Sequence, residues 1–402
     1  MSRPSAPGAD PIGAAGAADP IGAAGAADAI GAAGAAGIVT RTVVAKIGSS
    51  SLTDAGGGVD TAAVDALCAE VAALHALGHS VVLVSSGAIA AGWSAMGGGP
   101  RPSDPATLQA VSAVGQPRLM RVYDDALGRH GLAVGQVLLA PLDFIHRQQY
   151  LHARRTLARL LELGVVPVVN ENDATSDDEI RFGDNDRLAA LVAHLVAADL
   201  LVLLTDTAGL LTADPRTTAE ASLIEEVVEV DKELEALAGG PGTEVGSGGM
   251  ASKLAAAKIA AWSGVETVIA DAARPGVLRG AVLGEPGVGT VFRPRGRRLP
   301  ARKLWIAFAV AAAGSLVVDE GARLALVERE ASLLPAGVVS VSGRFDADDA
   351  VEIAGPDGVV FAKGLARHSA ERIASWAGRR TTELPEALPH EVVHRDDLVV
   401  LV

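Results

Sequence analysis

The chain holds one cysteine, Cys68, among 402 residues. That excludes an intrachain disulfide and a metal site built from thiolates, and it fits a reducing compartment. Cys68 falls in an amphipathic stretch from Thr61 to Leu77, where it reads as a small core residue. Aromatic residues are scarce too, 3% of the chain against 49% hydrophobic residues overall. The core must therefore rest on aliphatic packing and glycine turns. Basic residues are outnumbered, with a formal net charge of -14, which argues against broad, charge-driven nucleic-acid binding. No apolar run reaches the roughly 20 residues that a membrane-spanning helix needs. The one membrane-like run, Leu304 to Val318, has 15 uncharged residues broken by Gly314 and Ser315; it reads as two buried strands and a turn. The N-terminus lacks the sustained apolar stretch of a secretory signal. The expectation is a soluble, cytoplasmic protein.

Several motifs are missing as well. There is no G-x-x-x-x-G-K-[ST] phosphate loop, no protein-kinase signature set and no H-E-x-x-H metal spacing. His75, His79, His130 and His194 read as helix-surface or core residues, and no set of protein ligands for a metal is expected.

What is present begins with a repeat, "ADPIGAAGA" at Ala9–Ala17 and Ala18–Ala26, then "ADAIGAAGA" at Ala27–Ala35. Such a unit buries too little to offset chain entropy, so residues 1–38 read as a disordered, low-complexity tail. From Ile38 short aliphatic runs ("TVVAKI", "SVVLVSS", "AVGQVLLA", "VVPVVN", "LLVLLTD", "VETVIA") alternate with amphipathic stretches, among them Leu108–His130 and His152–Leu163. Fully apolar strands separated by helices predict an α/β fold, a mostly parallel sheet sandwiched by helices, over residues 39–296. A basic, proline-bearing linker is expected at 297–303. Short strand-like pieces such as "VEIAGPDGVVFAKG" then predict a small β-rich domain over 304–402.

In such sheets ligands bind at the carboxyl ends of the strands. Here those ends are small or polar: "AKIGSSS" with Lys46 and Gly48, "VSSGAIAAG" with Ser85 and Ser86, "VVNENDA" from Asn170 to Asp173, and "LLTDTAG" with Thr205 and Asp206. "GDND" adds Asp184, Asn185 and Asp186 at a helix start. Singly, each is accounted for by turn or cap chemistry. Two lysines resist that account. Lys46 lies in an apolar run, where a buried unpaired ammonium is costly. Lys253 follows "GTEVGSGGMAS" in the first turn of a helix, the wrong sign for the helix dipole unless an anion binds there. Two lysines, glycine loops and carboxylates at one sheet edge suit phosphoryl transfer, which needs positioning and charge neutralisation more than covalent chemistry. A metal in such a site is Mg²⁺ held mainly by nucleotide phosphates.

The ordered set "VVAKIGSSSL", "VSSGAIAAG", "VVPVVNENDA", "FGDNDRLAALVA", "LLTDTAGLLTADPR" and "GSGGMASKLAAAKIA" resembles the glutamate 5-kinases of the amino-acid kinase family. "VDEGA", "SLLPAGV" and "VHRDDLV" resemble the PUA module carried by many bacterial members. The resemblance implies ATP-dependent phosphorylation of the L-glutamate γ-carboxylate to L-glutamyl 5-phosphate, the first step of proline biosynthesis, with ATP and Mg²⁺. It implies that Lys46 and Lys253 stabilise the transferring phosphoryl group and that Asp186 orients them. Ser86, Asp173 and Asn185 would hold glutamate, with Asn170 and Asp184 lining the same pocket. Lys46, Gly48, Thr205, Asp206 and the loop Ser247, Gly248, Gly249, Met250, Ala251, Ser252 to Lys253 would bind the nucleotide. The implied partners are proline as feedback inhibitor, the glutamyl-5-phosphate reductase, and further copies of the chain in a dimer or tetramer; no membrane is expected.

Two alternatives stand beside this reading. An acetylglutamate or aspartate kinase would share the fold and differ only in the pocket. An RNA-binding role for the PUA module is disfavoured, since Ala301 to Val402 carries 11 Lys and Arg against 15 Asp and Glu. One position departs from the resembled pattern: Glu330 stands in "VEREASLLPAGV" where glycine is usual, and a positive φ there would cost stability.

Overall fold

The computed structural model describes residues 39–401, apart from 55, 101, 176–184, 214–217, 219, 240–248, 297, 309 and 385–389. The N-terminal repeats, Asp184, Ser247 and Gly248 lie outside the described residues. Every aliphatic run singled out above is a strand. They are β1 (Thr42–Ile47), β2 (Ser80–Ser85), β3 (Val134–Leu139), β4 (Val166–Glu171), β5 (Leu200–Thr205) and β7 (Glu266–Asp271), joined by β6 (Glu226–Val227) and β8 (Gly289–Phe292). They form one sheet in the order β3-β4-β2-β1-β5-β7-β8-β6. All neighbours are parallel except β7 and β8.

The strands are apolar throughout because both faces are covered. One face packs Val43, Ala45, Leu83 and Val202 on the helices Thr61–Ala76, Pro105–Gly128 and Val277–Leu283. Val44, Val84, Leu201 and Leu203 face the helices Asn185–Leu195 and Met250–Trp262. Lys46 follows Val44 by two residues, so the pleat points it to this second face. Cys68 is fully buried in the first helix, and burial pushes its thiol up to about 12.

The run Leu304–Val318 corrects the sequence expectation. It forms a helix, Ala301–Phe308, followed by one strand, β9 (Gly314–Val318). The polar residues that mark the helix, Arg302 and Lys303, precede the run, so the run taken by itself shows only four buried positions in a row, Leu304 to Ala307. Leu304, Trp305 and Ile306 are buried in the same core as Leu188, Val192 and Leu254, and Phe308 meets Trp262 edge-to-face with ring centroids 5.9 Å apart.

The remaining strands are β10 (Val338–Gly343), β11 (Ala350–Ala354), β12 (Val360–Ala366) and β13 (Val393–Val400). With β9 they form a second sheet, ordered β10-β9-β11-β12-β13. Its core is built from Leu316, Val318, Ile353, Phe361 and Leu398. Glu330 ends the helix Glu320–Arg329 at φ 49° and ψ 39°, the left-handed conformation that glycine adopts without strain.

Candidate active site

The parallel register aligns the ends of β1, β2, β4 and β5 along one edge. Ile47 pairs with Ser85 and Leu204, and Val84 with Val169. β1 is central in this group, so Lys46 stands between the β4–β2 side and the β5 side.

Asp186 is the hub. It occupies the first turn of the helix Asn185–Leu195 and is 0% exposed. Lys46 Nζ lies 2.5 Å from its Oδ1, and Lys253 Nζ 3.3 Å from its Oδ2. Ser252 Oγ donates to Oδ2 at 2.8 Å. Both lysines are buried, 4% and 6% exposed. Burial alone would push the Asp186 carboxyl up, but Lys46 and then Lys253 outweigh it and hold the group below its ordinary value. One buried carboxylate therefore contacts two buried lysine ammonium groups. The helix Met250–Trp262 opens nearby on Gly249, with no side-chain cap among the described residues. Its positive end adds to the same potential.

On the β4–β2 side, Asn185 Nδ2 donates to the Ser85 carbonyl (2.9 Å), Ser86 Oγ (3.0 Å) and Asn170 Oδ1 (2.9 Å). Ser86 is presented by a sharp turn through Gly87, whose φ of 103° disfavours any side chain. Asp173 Oδ2 accepts from Ser112 Oγ at 2.9 Å. A cavity of about 270 Å³ opens beside these groups, lined by Ser112, Gln116, Leu138, Asn172 and Asp173 among others. On the β5 side, Thr205 is buried and donates through Oγ1 to the exposed Asp206 at 3.0 Å. Gly48 lies beside Lys46: a Cβ built on it would stand 3.7 Å from the ammonium.

The structure thus brings Lys46, Lys253, Asp186 and Ser252 into one cluster. Ser86, Asn170 and Asn185 form another, with Asp173 tied to the same wall through Ser112. Thr205 and Asp206 stand at the end of the neighbouring strand. Sequence reasoning missed Ser112, Gln116 and Tyr123, all on the helix Pro105–Gly128. They lie far along the chain from any strand end and carry no motif, so no local signal marked them. Among the described residues no group of three or more His, Cys, Asp or Glu is arranged to hold a metal ion. No helix among them is long and apolar enough to cross a membrane.

Known proteins with this pattern share most of the chain. The Frankia casuarinae glutamate 5-kinase is 51% identical over 368 residues, covering 90% of this chain and 97% of its own. The Trichlorobacter lovleyi glutamate 5-kinase is 47% identical over 365 residues, covering 90% and 97%. A solved carbamate kinase from Giardia lamblia bound to AMP-PNP is 18% identical, with a TM-score of 0.47 over 64% of this chain and 99% of that one. The PUA domain model matches residues 314–388. The amino acid kinase family model matches residues 41–271, the whole of the sheet edge just described, and the chain belongs to that family.

Proposed function

We propose that this chain transfers the γ-phosphoryl group of ATP to the γ-carboxylate of L-glutamate. The products are ADP and L-glutamyl 5-phosphate, and the reaction opens proline biosynthesis. The observation that carries the chemistry is the pair of buried ammonium groups on Asp186, Lys46 at 2.5 Å and Lys253 at 3.3 Å. The name shared by the relatives above supplies the acceptor.

Phosphoryl transfer spreads negative charge over the moving group, and the two lysine ammonium groups stand ready to meet it. Asp186 fixes their direction and makes their burial tolerable. Gly249 to Ser252, at the open start of their helix, and Gly48 beside Lys46 suit the nucleotide phosphates; Thr205 and Asp206 suit the rest of the nucleotide. Ser86, Asn170 and Asn185, with Asp173 on the same wall, suit the polar groups of an amino acid; Asp184, Ser247 and Gly248 complete the proposed set by their positions in the chain. The acceptor carboxylate is already ionised, so no general base is required. Its oxygen forms the new P–O bond as the bond to ADP breaks. Mg²⁺ bound with the nucleotide adds charge neutralisation at the phosphates. The described residues fit this arrangement, since Asp186 is committed to the lysines and the phosphates provide most of the metal's oxygen ligands.

The same reading places proline, as inhibitor, in the amino-acid pocket at Asn170 to Asp173. It makes the chain a cytoplasmic homo-oligomer, dimer or tetramer, that hands its labile acyl phosphate to glutamyl-5-phosphate reductase. Its kinase part is assigned to residues 39–296, its linker to 297–303 and its PUA-type part to 304–402. The test is ADP release with Mg²⁺ and ATP over glutamate, N-acetylglutamate and aspartate, with hydroxylamine trapping. Glutamate-selective hydroxamate, suppressed by proline, is expected. Activity on either other acid in its place would overturn the acceptor assignment.

A further inference from the structure

The amino-acid side of the site stands on one helix. Along Pro105–Gly128, Ser112, Gln116 and Tyr123 share a face at steps of four and seven residues. Each holds a different part of the pocket. Ser112 Oγ donates to Asp173 Oδ2 at 2.9 Å, Gln116 Oε1 accepts from Asn170 Nδ2 at 2.9 Å, and the Tyr123 hydroxyl lies 2.8 Å from Ser85 Oγ. The depth of this helix is fixed by backbone contact. A Cβ on Gly115 would fall 1.8 Å from the Ala88 carbonyl oxygen, and one on Gly92 would fall 2.0 Å from that of Val111. Ala88 begins the helix that follows Ser86 and Gly87. The helix bearing the three polar side chains is therefore pressed against the turn that presents Ser86.

The amide orientations follow from one group that can only donate. The backbone N–H of Glu171 donates to Asn170 Oδ1 at 2.9 Å, and Asn185 Nδ2 donates to the same oxygen at 2.9 Å. Asn170 must then turn its Nδ2 toward Gln116, and Gln116 must answer with Oε1. Gln116 Nε2 is left buried with no hydrogen-bond partner among the described residues. An apolar side chain of this length would remove that amide but would also leave the buried Asn170 Nδ2 without its acceptor, at a cost of about 1–3 kcal/mol.

We propose that Gln116 is a positioning residue for the acceptor substrate. Through Asn170 it holds Asn185 and Ser86 in the orientation that receives the amino acid, a role that rests on the reading of this chain as a glutamate-phosphorylating kinase. Without the Gln116 oxygen the buried Asn170 Nδ2 loses its acceptor, and the amide is held through Oδ1 alone, by the Glu171 N–H and by Asn185. The amide then sits less firmly against Asn185, and the chain to Ser86 loosens with it. The nucleotide side is held by other elements, so the loss falls on glutamate alone.

The test compares full-length wild type with Gln116→Leu, Gln116→Met, Asn170→Ala and the double variant Gln116→Leu/Asn170→Ala, by hydroxamate formation over varied glutamate and ATP. Both Gln116 variants should raise the KM for glutamate about tenfold, about 1.4 kcal/mol, with the KM for ATP as in wild type. The double variant should be no worse than Asn170→Ala, because the effect passes through Asn170. An unchanged KM for glutamate, an equal rise in both KM values, or multiplying effects would each overturn the assignment. Misfolding of both Gln116 variants would make the residue part of the fold's support and overturn the assignment. A wild-type chain that forms no hydroxamate would overturn the kinase reading itself. A wild-type KM for glutamate in Gln116→Met, with the wild-type chain active, would overturn this inference and leave that reading standing.

Discussion

Replacing Asp186 by asparagine keeps the shape of the side chain and removes the one negative charge that Lys46 and Lys253 share. Both ammonium groups stay almost wholly out of solvent, where an uncompensated charge is expensive. Breaking a buried ion pair by removing one partner costs about 3–5 kcal/mol, a large part of the roughly 5–15 kcal/mol that holds a typical domain together. With a urea dependence of about 3 kcal/mol per molar or more for a chain of this size, the midpoint should fall by about 1 M. Lys46→Met added to Asp186→Asn should restore part of that loss, since it removes one of the two stranded charges. Acid should narrow the gap between wild type and variant. The Asp186 carboxyl is held below its usual range, so its contribution is present above the ordinary carboxylate pKa and is lost as pH falls through the depressed one. Urea unfolding of the three proteins at two pH values checks this. A wild-type midpoint for Asp186→Asn, or simple addition in the double variant, would refute the claim that this carboxylate neutralises the lysines.

Three further outcomes are expected. Lys253→Ala should lower kcat by about 10²–10³-fold, the usual effect of removing one transition-state donor, while far-UV circular dichroism stays that of wild type. Glu330→Gly should relieve the left-handed backbone and raise stability by about 1 kcal/mol, read as a higher melting temperature with the KM values unchanged. His194 is pushed down to about 4 by burial, then by Arg298 and Arg154, so the folded state resists protonation that the unfolded chain accepts near pH 6.5. Stability should therefore fall by up to about 2 kcal/mol between pH 7.5 and 5, and His194→Leu should flatten that slope in urea titrations.

Much of the frame was legible in the chain because parallel strands write themselves as unbroken aliphatic runs, and their polar ends mark the candidate edge. Lys46 and Lys253 announced themselves by being out of place, one in an apolar run and one at the wrong end of a helix. Their meeting on Asp186 was not visible at that level: the three residues are separated by more than sixty positions each, and only strand order brings them together. Gln116 was illegible for a different reason. A single glutamine on a long helix looks like solvent-facing polarity until the Gly92–Gly115 contact turns that face inward. The run 304–318 misled because it begins inside a helix, after the polar Arg302 and Lys303 that give that helix its two-sided pattern.

The helix Ala301–Phe308 ties two things together that family matching treats as separate modules. Its Leu304, Trp305 and Ile306 share one continuous core with Val192 and Leu254 on one hand and with Ala350, Leu365 and Val399 on the other, and Arg302 pairs with Asp397. Melting should therefore give a single calorimetric transition, with enthalpy scaled to residues 40–401 and no early peak from the smaller sheet. A truncation that stops at Pro300 strips an apolar surface from the catalytic half, whereas one that stops at Ala312 keeps the helix in place. A cut made at residue 303 would fall inside that helix and through the core it shares with both sheets.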